Sequence, residues 1–124
     1  MSRIQLTRAG ELAFRQLPGR LSADPLAGVD AGAVSVRLVH LTEQGRNPHR
    51  HPHCVELIYV LEGEGTFWQE GETEPLRAGD LVLVPAGAAH ATVPHVGGEM
   101  HLYCVFPVAR LDGEIEELEG EIRL

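Results

Sequence analysis

An all-β sandwich or closed barrel is the fold class this sequence predicts, and three observations predict it. Fourteen glycines and eight prolines recur at short intervals along 124 residues. Between them lie runs of four to nine residues rich in Val, Leu and Ile, the pattern of short strands bounded by turns. Stretches long enough for a helix are scarce, and about eight to ten strands with turn signals every ~8–12 residues favour a sandwich or barrel over any α/β design.

Taken along the chain, Ile4 to Leu6 and Leu12 to Leu17 are candidate edge strands, with turns at Pro18-Gly19 and Asp24-Pro25. Ala33 to Leu41 places Val34, Val36 and Leu38 on one face and Ser35 and Arg37 on the other, a half-buried strand. Glu56 to Leu61 and Thr66 to Gln69 flank Glu62-Gly63-Glu64-Gly65, which predicts a hairpin or close neighbours. Turns at Glu70-Gly71-Glu72, Ala78-Gly79-Asp80 and Pro85-Ala86-Gly87 isolate Leu81 to Val84 as a short, fully apolar strand. Met100 to Phe106 is apolar on both faces apart from His101 and Tyr103, so it is expected as a central strand between covering layers.

The length suits a single domain, here 1–124, with N-terminal strands over 1–32, a barrel core over 33–107 and an acidic tail over 108–124. No apolar run approaches the ~20 residues of a membrane span. The N-terminus, Met1 to Leu6, lacks the apolar core of a secretory signal, so the expected compartment is the cytoplasm. Ten basic against eighteen acidic residues give a formal charge of −8, which repels nucleic-acid phosphates and anionic lipid, so neither is an expected partner. Asp112, Glu114, Glu116, Glu117, Glu119 and Glu121 face only Arg110 and Arg123, predicting a solvated acidic tail. Cys54 and Cys104 are expected as free thiols packed as small apolar groups.

Four of the seven histidines fall in a short window or on a defined turn. His49 and His51 are two apart, so on a strand they project from one face with Cα atoms roughly 6.5 Å apart. Glu56 has the wrong parity on a continuous strand, but Pro52 can break the ladder and return the carboxylate inward. His90 follows the Pro85-Ala86-Gly87 turn and can close the ring from the opposite wall. Three imidazoles and one carboxylate suit one divalent transition metal, Fe, Mn, Ni, Co, Cu or Zn, and an octahedral ion would keep positions open for a small molecule.

The same residues carry a resemblance to the cupin family. Its first motif pairs His-x-His with a Glu after four intervening residues and a Gly after six more, matched here by His49, His51, Glu56 and Gly63. Its second motif reads Gly, five residues, Pro-x-Gly, two residues and His, matched by Gly79, Pro85, Gly87 and His90. The sequence departs from the pattern at Glu43, where a glycine is expected and Gly45 lies nearby, and at Pro94, where Asn often closes the second motif. The resemblance covers residues 33–107 and implies a double-stranded β-helix, a jelly-roll cupin barrel with the metal inside its mouth. It also implies frequent homodimers and a range of activities, from oxygenases, isomerases and lyases to non-enzymatic binders.

His101 and Tyr103 share one face of their strand; turned inward, they would supply a base and a phenol beside the metal, and they are the candidate catalytic pair. The resulting expectation is a metal-dependent enzyme on an unidentified small molecule, or a binding module with a structural metal. Tyr59, Phe67, Trp68, Met100 and Phe106 are core or pocket lining, and of Arg37 and His40, on opposite faces of a strand, at most one enters the barrel. His53 and His95 are expected in exposed loops.

Overall fold

A computed structural model describes residues 4–124. After a 3-10 turn at Ala9–Glu11 the strands are β1 (Arg15–Leu17), β2 (Arg20–Ala23), β3 (Ser35–Leu41), β4 (Gly45–Arg46), β5 (His49–Arg50), β6 (Glu56–Glu62), β7 (Glu64–Gln69), β8 (Glu72–Arg77), β9 (Leu81–Val84), β10 (His90–Pro94), β11 (Met100–Phe106), β12 (Glu116–Glu117) and β13 (Ile122–Arg123). Ile4 to Leu6, a candidate strand by sequence, is irregular, and only Arg15–Leu17 of the second candidate pairs, as the edge of its sheet. No helix among the described residues is long and apolar enough to cross a membrane.

Two antiparallel sheets carry the architecture. One has the order β1-β2-β3-β11-β6-β9, the other β12-β5-β10-β7-β8, and β13-β4 form a separate pair. From β5 to β11 the chain passes repeatedly from one sheet to the other, which is the winding of a double-stranded β-helix. The turn between β6 and β7 is therefore a corner and not the tip of a hairpin: β6 pairs with β9 and β11, and β7 with β8 and β10. Gly63 takes φ +88 at this corner, a conformation that costs side-chain-bearing residues. The real hairpin is β7–β8, closed by Glu70 and Gly71 at φ 49 and 92, the two positive values a tight hairpin turn requires.

Alternation fixes the inside. Val39 and Leu41 of β3, Ile58 and Val60 of β6, Phe67 of β7 and Met100, Leu102, Cys104 and Phe106 of β11 form one buried cluster drawn from both sheets. The long strand β11 is central, between β3 and β6, as expected. It is covered on one face only: Tyr103 is 37% exposed, while its even-numbered neighbours are buried. Strand β9 behaves likewise, with Leu81 and Leu83 exposed at 62% and 61% and Val84 buried. The reading of β11 as a strand between two covering layers is thus corrected. Phe14 covers His40 on the outer face of the six-stranded sheet, with ring centroids 4.5 Å apart, but Leu81, Leu83 and Tyr103 there stay exposed, so apolar composition does not imply burial.

Candidate metal centre

The inner faces of the two sheets bring His49, His51, Glu56 and His90 together, with one donor atom from each lying within 4.8 Å of the others. His49 and His90 are direct cross-strand partners on β5 and β10, where antiparallel pairing holds Cβ atoms ~4.5–5.5 Å apart. His51 lies just past the end of β5, and residues 51–55 bend across to the other sheet, where Glu56 opens β6. The donor from the opposite wall is therefore Glu56, and His90 is a neighbour of His49 on the same sheet, the reverse of the sequence expectation. The backbone N–H of Gly87 donates to the carbonyl of His51 at 2.8 Å, so the second motif's turn is pinned directly to the first motif. Gly87 adopts φ +81 to present it.

Hydrogen bonds preset the imidazoles. Nδ1 of His51 lies 2.9 Å from the carbonyl oxygen of Glu114, and Nδ1 of His90 lies 2.9 Å from that of Ala88. A carbonyl only accepts, so each Nδ1 carries the proton and each Nε2 lone pair is turned into the site. Both Nε2 atoms converge on Glu56 Oε1, at 2.9 and 3.0 Å. Without an ion that convergence requires an extra proton. Burial alone would raise the Glu56 carboxyl, but the bonds to His51 and His90 outweigh it and hold it well below the usual carboxylate range. Burial pulls His51 down, yet Glu56 leaves it raised overall. His49 is held well below its ordinary value by burial, with the charges of His90 and Arg46 adding to it, so it is neutral and able to ligate. Its buried Nδ1 has no hydrogen-bond partner among the described residues, a cost of ~1–3 kcal/mol that the protein itself does not relieve. Two lone pairs, a carboxylate and an unsatisfied imidazole nitrogen in one buried spot fit a divalent cation.

Metal uptake should accordingly depend on pH. His51 carries a raised proton affinity that an incoming ion must overcome, so apparent affinity is expected to fall as pH drops from about 7.5 to 5.5, with protons released on binding. Calorimetry in two buffers of different ionisation enthalpy measures the release; an affinity flat across that range would contradict it.

The four donors face a cavity of about 110 Å³ whose walls also include Arg20, Arg37, Arg46, Cys104 and Phe106. This is smaller than the ~150 Å³ that takes up benzene. Cys104 is not among the four converging donors, and burial pushes its thiol well up, with Glu56 adding to the effect. Cys54 is likewise a buried free thiol. Arg37 enters the cavity and pairs with Asp24 at 3.2 Å, while His40 faces outward.

His101 and Tyr103, the candidate catalytic pair, are not brought to this site. They lie on the outer face of β11, because the even-numbered residues of that strand face the core. His101 stacks on His40 with ring centroids 3.7 Å apart and is held by Glu62 and Glu99 at 2.9 and 3.1 Å. Replacing His101 with Ala or Tyr103 with Phe should leave metal affinity unchanged within about twofold, since neither touches the cavity. A tenfold loss in either variant, measured by competition with a chromogenic chelator, would place them nearer the ion than the fold does.

Sequence reasoning missed the C-terminal segment. Expected as a solvated tail, it folds back: Glu116 and Glu117 pair with Arg50 and His49, and Ile122 and Arg123 with β4. The Glu114 carbonyl orients His51, and its carboxylate holds the exposed His53 at 2.9 Å. His95, the other expected loop histidine, is exposed. Arg20 and Arg46 were also missed. One follows a turn and the other sits in a polar stretch, so no local pattern marks them as inward.

The cupin domain family profile matches residues 37–106. An oxalate-binding protein of Thermotoga maritima is 37% identical over 43 residues, 35% of this chain and 36% of that protein. Quercetin 2,3-dioxygenase of Bacillus subtilis is 40% identical over 43 residues, 35% of this chain and 13% of that protein. The chain thus matches well under half the length of either relative. The solved structure of Pac13, a Streptomyces nucleoside dehydratase, superposes with a TM-score of 0.77 at 18% identity, covering 94% of this chain and 92% of that one, which supports the fold alone. The family profile spans more than half of the sequence and the strands wind as a double-stranded β-helix, so the chain belongs to the cupin family.

Proposed function

We propose that the protein is a metal-dependent cupin that holds one divalent transition-metal ion on His49, His51, Glu56 and His90 and uses it on a small molecule entering the cavity. The observation that carries this reading is the convergence of four donors, two of them preset by backbone carbonyls, within 4.8 Å. When bound, an ion of this class polarises an oxygen-bearing ligand as a Lewis acid or supports redox chemistry. The chain's own part is to hold His51 and His90 in the tautomer that presents Nε2, through the carbonyls of Glu114 and Ala88, and to line the approach with Phe106 and other apolar groups that exclude water.

Apart from the four donors, the residues lining the cavity include no carboxylate or imidazole. Proton transfer of the isomerase or lyase kind therefore loses the side chain it needs once His101 and Tyr103 face outward. Chemistry centred on the ion, of the oxygenase kind, is the version the lining supports, and the same lining favours non-catalytic capture of a small molecule as the second reading. Elemental analysis of untagged protein purified without chelators, beside a variant with His49, His51 and His90 all Ala, tests the site. About one transition metal per chain, absent from the variant, is expected. Iron would direct assays to oxygen chemistry and zinc to Lewis-acid chemistry, and no metal, native or titrated, would end the metal-dependent reading.

Self-association as a homodimer belongs to the same reading. Leu57, Tyr59, Leu61, Leu81, Leu83 and Tyr103 are all exposed on the outer face of the six-stranded sheet, a contiguous apolar surface of the kind that marks an interface. Light scattering should give twice the chain mass, reverting to monomer in a Leu83→Glu variant.

A further inference from the structure

The cavity is positive inside a negative molecule. Arg46 is buried and Arg20 nearly so, and both line the cavity that holds the four metal donors. They are close enough that the charge of Arg46, after burial, helps to lower the Arg20 guanidinium to about 10. The third cavity arginine, Arg37, has its own partner in Asp24 at 3.2 Å. Arg20 and Arg46 share a single carboxylate, Glu117, at 3.9 and 3.4 Å from their respective Nη1 atoms. Two cations facing one anion leave a surplus positive charge in a chain of formal charge −8, and buried charge is costly unless it is paired.

The shared carboxylate is loosely held. Both oxygens of Glu117 lie 3.4 Å from Arg46 Nη1, long for a charge-assisted bond, which settles at ~2.7–2.9 Å. Its side chain is 43% exposed and reaches the pair from β12, at the edge of the five-stranded sheet. Backbone holds Arg20 more closely, its Nη1 donating to Pro18 O at 2.8 Å, while Nη1 of Arg46 donates to Asn47 O at 3.3 Å, nearly as long as its contacts to Glu117. A guanidinium has five N–H donors in a planar fork, so each retains donors for a better-placed acceptor. Arg46 also lies near the site, where its charge is among those that depress His49.

We propose that Arg20 and Arg46 form an anion subsite beside the metal donors, and that the molecule the cavity takes is a small carboxylate which displaces Glu117 from the pair. The planar fork matches a carboxylate bidentately. The cavity of about 110 Å³ is smaller than the ~150 Å³ of an engineered cavity that binds benzene, so it suits a compact molecule such as acetate or oxalate. Glu117 acts as an internal stand-in that offsets one of the two charges until the ligand arrives. The inference deepens the proposed function and rests on it for what lies across the cavity, but the arginine pair can be tested without an ion.

Isothermal titration of the full chain, metal-free and zinc-loaded, with acetate, oxalate, inorganic phosphate and neutral acetamide tests this. The expected result is saturable carboxylate binding in both forms, no acetamide binding, at least tenfold weakening in Arg46→Gln and at least threefold tightening in Glu117→Gln. Thermal melts establish that the variants are folded. Should Arg46→Gln fail to fold, the Glu117→Gln result decides, and an unchanged carboxylate affinity there overturns the proposal. So do equal affinities in wild type and Arg46→Gln, or a preference for phosphate over both carboxylates. Metal content is measured on the same samples. Zinc uptake without carboxylate binding would sink the subsite and leave the metal reading standing, whereas Arg46-dependent carboxylate binding in a chain that takes up no metal would do the reverse.

Discussion

Replacing His51 with Ala is expected to abolish metal loading at micromolar supply and to lower the melting temperature of the metal-treated protein by roughly 10 °C. His51 is the donor with most to lose. It is buried, its Nδ1 is anchored by the Glu114 carbonyl at 2.9 Å and its Nε2 faces Glu56 at 2.9 Å. Removing outer partners of metal ligands already costs ~10–100-fold in affinity, so loss of a ligand itself should cost at least that. An ion supplied at ~100 times its dissociation constant stabilises the folded state by ~2.7 kcal/mol through mass action. At about 3–6 °C per kcal/mol for a domain of this size, that contribution accounts for the expected shift. Chelation of the wild type should produce a similar drop and leave the Ala variant unmoved. If metal content and melting temperature are the same in both proteins, the four residues are not a metal centre.

The second large effect concerns the fold that carries the site. Gly63→Ala should destabilise the protein by about 2–5 kcal/mol, a large part of the ~5–15 kcal/mol a domain typically has. Two costs combine. The backbone there has φ +88, worth ~1–2 kcal/mol against a residue with a Cβ. The added methyl would also overlap the carbonyl oxygen of Glu99 and come within 3.1 Å of Met100 Cα, and overpacking against backbone costs ~1–3 kcal/mol more. Gly71→Ala is the control: its φ is +92, but nothing lies within 4 Å of the new methyl, so only the conformational cost remains. Urea denaturation should separate the two variants by at least 1 kcal/mol. Equal effects would mean that the corner between β6 and β7 is looser than its contacts indicate.

The sequence by itself determined the class of fold and which four residues, His49, His51, Glu56 and His90, come together. Turn-bounded apolar runs are local features, and the spacing of His49, His51, Glu56 and His90 across two glycine-bearing turns is local too, so both can be read without knowing what packs on what. What only the tertiary structure decided is orientation. A strand's period of two sorts His101 and Tyr103 from Leu102 and Cys104, but which set meets the core depends on partner strands roughly forty to seventy residues away, and here the apolar even-numbered set won. The same holds for the cavity wall. Arg20 and Arg46 meet because the turn between β1 and β2 packs on β4, and Glu117 reaches them because β12 returns to pair with β5. An acidic run reads as a solvated tail as long as its cationic partners lie in another part of the chain, and long-range pairing is the one thing local pattern does not encode.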